Sequence, residues 1–238
     1  MRVLACAHLD GELDRLRDLE RAVEEERPEL LVFAGSALAP GRAAEKGAAQ
    51  SLHHVLRTLA DLPCPVAIVP GEHDAPESRV LPIVTALEWT ESHLHCVHGM
   101  PLPMGELAIA GFGGRVTEHE REVDQALRYP GWEVEYRMAF LSQVDQPLLL
   151  LVFHNPPAHV RDLEPLDGDR GGSEVVTELI GTWKPGVAVV AGPRPGQGMH
   201  GTTVIVSPGR LDRGEYAVFD ARRGREVRFA GGASATRT

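Results

Sequence analysis

Pro65-Val66-Ala67-Ile68-Val69-Pro70-Gly71-Glu72-His73-Asp74 puts a buried strand and a chemically loaded turn into one short stretch. Val66 to Val69 is an apolar, β-branched run with proline at each end. That pattern reads as a short strand buried on both faces, followed by a sharp turn. Two similar runs precede it, Val3 to Ala7 and Leu30 to Ala34. Between them lie helical patterns: Leu13, Leu16, Leu19 and Val23 recur at helical spacing and stop near Pro28, and Ala43 to Leu62 reads as a second helix. Buried strands alternating with helices predict a parallel sheet with right-handed crossovers.

Further along, strands are expected at His93 to Val97, Leu107 to Gly111, Leu148 to Phe153, Val187 to Ala191, Thr202 to Val206, Tyr216 to Phe219 and Val227 to Ala230. So many strands predict two sheets rather than one, in an α/β class. Ser173 to Trp183 reads as a helix with the Ser173 hydroxyl as N-cap. Arg115 to Asp145 is less regular and reads as a helical excursion overhanging a site, with Trp132 and Tyr136 beside Arg128 and Arg137. The chain is expected to form one domain over residues 1–230, with a frayed tail at 231–238.

With 34 acidic against 24 basic residues the formal charge is −10. Such a molecule repels polyanions, and no basic stripe is evident, so long nucleic acid is excluded as a partner while a small phosphate ligand is not. Three widely spaced cysteines form no zinc or disulfide pattern and fit a reducing compartment. No apolar run approaches a membrane span, and no cleavable leader precedes the first strand; a cytoplasmic protein with no membrane partner is expected.

In parallel α/β sheets ligands collect beyond the carboxyl ends of the strands. The residues there are His8-Leu9-Asp10-Gly11, Gly35-Ser36, Gly71-Glu72-His73-Asp74, His154-Asn155-Pro156-Pro157, Gly192-Pro193-Arg194-Pro195 and Ser207-Pro208-Gly209. In order and spacing they resemble the five signatures of the calcineurin-like metallophosphoesterase family: Asp-x-His, Gly-Asp-x-x-Asp, Gly-Asn-His-Asp or Glu, a lone His after an apolar strand, and Gly-His-x-His. The resemblance implies a two-sheet sandwich flanked by helices, with metals held between the strand-end loops.

Position by position the match is uneven. His8 and Asp10 exchange the two ligand types of the first signature. Ser36 stands where the family has its bridging Asp, and Ala39 where it has the next Asp. Glu72 replaces the metal-binding Asn, while His73 keeps the place of the histidine that assists the leaving group. His154 matches the lone histidine. Pro193 and Pro195 replace both histidines of the last signature, leaving His200 beyond it as a conceivable substitute.

Two metals roughly 3.5 to 4 Å apart need anionic ligands between them. The donors left by the resemblance, His8, Asp10, Glu72 and His154, suit at most one zinc, manganese or iron ion. A metal-free cleft is an equal alternative, with the carboxylates of Asp10, Glu72 and Asp74 balanced by protonated His8, His73 or His154. Arg194 and Ser36 would then bind phosphate. Two functions follow as expectations: a scaffold without efficient two-metal hydrolysis that binds a phosphate-bearing small molecule or a partner, or a phosphoester hydrolase using one ion. His93, His95 and His98 are read as a surface strand, and Gly111 to Gly114 as a turn.

Overall fold

A computed structural model describes residues 1–160, 163, 172–222, 224 and 226–231; the tail expectation beyond residue 231 lies outside them. The strands are β1 (Arg2–Cys6), β2 (Leu30–Phe33), β3 (Val66–Ile68), β4 (Leu94–Cys96), β5 (Leu102–Met104), β6 (Leu107–Phe112), β7 (Arg115–Thr117), β8 (Arg128–Pro130), β9 (Leu148–Phe153), β10 (Val187–Val190), β11 (Pro195–His200), β12 (Thr203–Pro208), β13 (Tyr216–Asp220) and β14 (Arg228–Ala230). The α-helices are α1 (Arg15–Glu26), α2 (Ala48–Ala60), α3 (Glu77–Thr90), α4 (Gly131–Met138) and α5 (Glu174–Trp183).

Two six-stranded sheets form, in the orders β14-β13-β1-β2-β3-β4 and β11-β12-β10-β9-β6-β5. In the first sheet β1 to β4 run parallel, β13 pairs antiparallel with β1, and β14 pairs antiparallel with β13. Strand periodicity explains how the sheets stack. Val3, Ala5 and Ala7 of the first strand and its end join Leu30, Val32, Ala67 and Val69 in a core shared with Ile109, Leu150, Val152, Val189 and Val206 of the second sheet. Leu4, Cys6, Leu31, Phe33 and Ile68 point the other way, against Leu16, Leu19, Leu52, Leu56 and Val84 of the helices. Each strand is therefore apolar on both faces, which is why it reads as a continuous hydrophobic run. The α/β, two-sheet architecture expected from the sequence is the one observed.

Local departures have physical reasons. The second helix begins at Ala48, after a 3-10 turn at Arg42–Ala44. α3 carries Pro82 in its interior, which hides it from a periodicity reading. β11 is a proline- and glycine-rich edge strand paired only with β12 among the described residues. Gly111 and Phe112 still belong to β6, so the turn expected there starts only at Gly113. The excursion that follows holds the small β7–β8 ribbon and the eight-residue α4, with Trp132 and Tyr136 exposed and Tyr129 fully buried. His98 is buried and not on a surface strand: its Nδ1 accepts from the Gly113 amide at 2.9 Å, and its ring packs on Phe112 and Tyr129. No described helix is long and apolar enough to cross a membrane.

Candidate functional site

The parallel pairing of β1 and β2 does not stop at the strand ends. The His8 amide donates to Gly35 O at 2.8 Å, the Asp10 amide to Ser36 O at 3.0 Å and the Gly11 amide to Ala37 O at 3.0 Å. The two loops are thus zipped together, and the zipper forces unusual backbone: His8, Asp10 and Ser36 have φ of 56°, 47° and 59°. Side-chain-bearing residues rarely occupy that left-handed region outside turns and functional sites. The third loop locks against the second. Asp74 is buried and accepts from the Leu38 amide at 2.8 Å and the Gly71 amide at 2.7 Å, and burial raises its pKa. Asp74 is therefore consumed in holding the loops.

His8, Asp10, Glu72, His73 and His154 come together here, close enough for their charges to influence one another's protonation. The rings of His8 and His154 meet edge to face with centroids 5.5 Å apart. His154 Nδ1 lies 2.8 Å from Ala34 O, and a carbonyl only accepts, so Nδ1 carries the hydrogen and Nε2 keeps its lone pair. His8 Nε2 lies 3.3 Å from Ala191 O, so by the same reasoning its Nδ1 lone pair faces Asp10 Oδ1, 4.0 Å away. Asp10 Oδ1 is buried and has no hydrogen-bond partner among the described residues.

Burial pushes the pKa of His8 and of His154 down to about 4, with Arg210 adding to the effect at His8 and His8 to that at His154. Both imidazoles are therefore neutral near pH 7 and do not balance the carboxylates as protonated histidines would. Two arginines do. Arg210 Nη2 donates to Asp10 Oδ2 at 2.7 Å, and Arg128 Nε donates to Glu72 Oε1 at 2.7 Å. Arg210 also grips Asp212, through Nη2 at 2.5 Å and Nε at 3.1 Å. Burial still raises the Asp10 pKa in spite of the guanidinium beside it.

Sequence spacing does not single out Arg210, although it directly follows Ser207-Pro208-Gly209 at the end of β12. It misses Asp212 as well. Arg194 sits in the turn before β11 as an exposed residue whose carbonyl accepts from the Ser207 hydroxyl at 2.7 Å. Ser36 is buried, with its amide so close to Gly71 that a Cβ added there would lie 2.2 Å from it.

The divalent ions expected from the resemblance can be tested against these donors. Among the described residues no group of three His, Cys, Asp or Glu side chains converges to hold one. Asp10 and Glu72 are each taken by a guanidinium, and Ser36 brings no charge. The residues present do not fit a two-metal centre, which needs bridging anions and unencumbered carboxylates.

Comparison with known proteins agrees with the architecture. No curated protein matches the chain. One solved crystal structure is 26% identical and superposes with a TM-score of 0.87 over 97% of this chain and 98% of its own. The crystal structure of TT1561 of Thermus thermophilus is 28% identical, with a TM-score of 0.85 over 97% of this chain and 98% of its own. A dimetal phosphatase from Danio rerio, 14% identical, shares the fold at a TM-score of 0.62 over 92% of this chain and 91% of its own. The family model of calcineurin-superfamily metallophosphoesterases matches residues 1–230, and the chain belongs to that family.

Proposed function

We propose that this member of a metal-dependent family lacks efficient two-metal phosphoester hydrolysis and uses the strand-end cleft to bind a small phosphate-bearing molecule. The observation that carries this reading is the pair of arginines on the cleft carboxylates, Arg210 on Asp10 and Arg128 on Glu72. A dication approaching either carboxylate meets a positive charge already in place. The neutral Ser36 at the bridging position adds to the deficit.

The neighbouring cavity supports this ligand class. A space of about 250 Å³ opens beside Asp10, lined by Arg42, Lys46, Gly47, Ala48 and Ser51 among others. It reaches the N-terminus of α2, which has no acidic residue in its first turn and no side-chain cap. The positive end of a helix dipole, with a lysine and a serine hydroxyl beside it, suits a phosphate group. Asp10, Glu12 and Glu45 also line this space and Arg42 pairs with Glu45, so the reading is of a compact anion held close to Lys46, not of polyanions in general.

The competing reading is a one-ion hydrolase, favoured by the unpartnered Asp10 Oδ1 and the lone pair on His154 Nε2. Metal analysis of protein purified without chelator, followed by a model phosphodiester assay with added manganese, separates the two. The proposed function requires substoichiometric metal and negligible turnover. One tightly held ion per chain with turnover abolished in His154→Ala establishes the other.

A further inference from the structure

α3 turns all of its charged side chains toward partners within the chain. Glu77 accepts from the Tyr129 hydroxyl and pairs with Arg121 and Arg137, Arg79 Nη1 donates to Ala43 O at 2.7 Å, and Glu88 Oε1 accepts from the Cys96 amide at 2.6 Å. What α3 shows to solvent is uncharged: Ser78, Pro82, Thr85, Ala86, Trp89 and Thr90. Trp89 is 87% exposed, and with Leu81, Pro82, Thr85 and Ala86 it lines an open apolar groove. α2 packs alongside and contains no acidic residue. It exposes Gln50, His53, His54 and Arg57, the last paired with the helix-end residues Glu91 and Asp61. The other three helices differ: α1 exposes Glu20, Glu24 and Glu25, α4 exposes Glu135, and α5 exposes Glu174 and Glu178.

We propose that the face formed by α2 and α3 docks a second copy of this chain, with the two α3 helices antiparallel about a two-fold axis between Thr85 and Ala86. Charge and shape both select this occupant. Two chains that each carry a formal charge of −10 repel one another. On the α2–α3 face the carboxylates are either absent or already paired, so a copy can approach without like charges meeting. A two-fold contact must also be self-complementary, so a knob and its socket lie at equal distances on either side of the axis. Trp89 and Pro82 meet that condition: they are about 10 Å apart along the helix and exchange places under the rotation. Each indole then lies against the Leu81-Pro82 turn of the other copy, filling the groove. The small side chains of Thr85 and Ala86 between them let the helices approach closely. Each helix is about 20 Å long and the axes of packed helices lie about 10 Å apart, so the face covers roughly 400 Å² per copy, half of what a stable interface uses. The dimer is accordingly weak and reversible.

The test is sedimentation equilibrium of the full chain from about 5 to about 500 μM, where the average mass should climb from one chain toward two with a dissociation constant of roughly 10 to 100 μM. Added salt should tighten the dimer, because it screens the repulsion between the net charges and breaks no ion pair across the contact. Trp89→Ala removes a knob from both ends at once and should weaken association on the order of thirty-fold. Thr85→Lys sets two like charges at the axis and should leave only monomer. Trp132→Ala deletes an exposed indole on α4 and should change nothing. All three side chains are exposed, so thermal midpoints close to wild type are expected; if Trp89→Ala does not fold, Thr85→Lys decides alone. Monomer at every concentration would overturn the proposal and leave the face to a different partner. A dimer that survives Thr85→Lys, that is broken by Trp132→Ala or that salt weakens would overturn it as well.

Discussion

Gly71 packs so tightly on Ser36 that a Cβ added to the glycine would lie 2.2 Å from the Ser36 amide nitrogen. The neighbour is backbone, and it is pinned by the Asp10 amide bond to Ser36 O, so it has little room to yield. Gly71→Ala should therefore destabilise the fold by about 3 kcal/mol, at the upper end of ordinary overpacking costs. Urea unfolding monitored by circular dichroism checks this; a loss below about 1 kcal/mol would mean that the two loops separate easily.

His98 should give the fold an acid-sensitive component. Burial lowers its pKa from 6.5 to about 3, with Arg137 contributing in the same direction. Between those two values the unfolded chain binds a proton that the folded chain refuses. Stability is thus fully present above pH 6.5 and is lost as pH falls toward 3, at roughly 1.4 kcal/mol per pH unit. Wild type should lose about 2 kcal/mol more than His98→Gln between about pH 7 and pH 5, read from denaturant midpoints at each pH. Parallel profiles for the two proteins would remove His98 as the cause.

Tyr129 anchors the excursion that carries α4. Its hydroxyl donates to Glu77 Oε1 at 3.0 Å, in a network where Arg121 bridges Glu77 and Glu133 and Arg137 lies over the rings of Phe112 and Tyr129. Tyr129→Phe removes one hydrogen bond to a charged acceptor and keeps the ring, so a cost of about 2 kcal/mol is expected. A thermal midpoint equal to wild type would show that the two arginines satisfy Glu77 without it.

Lys46 should matter for phosphate if the cavity beside α2 takes that group. Titration with inorganic phosphate at low ionic strength is expected to show about ten-fold weaker binding in Lys46→Ala than in wild type. Both affinities should fall with added salt. Indistinguishable isotherms would place the ligand elsewhere.

The first three strands were legible because each is buried on two faces and so leaves an unbroken apolar run, and Ser173 declared its helix through a local bond, accepting from the Val176 amide at 3.3 Å. α3 and β11 were hidden by prolines and glycines whose penalties the tertiary environment absorbs. The strand-end positions of His8, Asp10, Glu72, His73 and His154 followed from the same run-then-turn pattern. Their counter-charges did not, because Arg210 meets Asp10 across 200 residues of chain and Arg128 meets Glu72 across 56. Local spacing carries no trace of such pairs. The buried histidines misled for a related reason: a sequence shows the carboxylate beside an imidazole but not the desolvation that outweighs it.

Because backbone pairing runs beyond β1 and β2 as far as Gly11 and Ala37, what a topology drawing shows as two flexible connections is mechanically part of the sheet. The amides of His8, Asp10 and Gly11 should accordingly exchange with deuterium as slowly as strand interiors, through rare cooperative opening, and not on the faster schedule of surface turns. A ligand entering this cleft meets a wall that was set when the chain folded, so shape matching here has to come from the ligand.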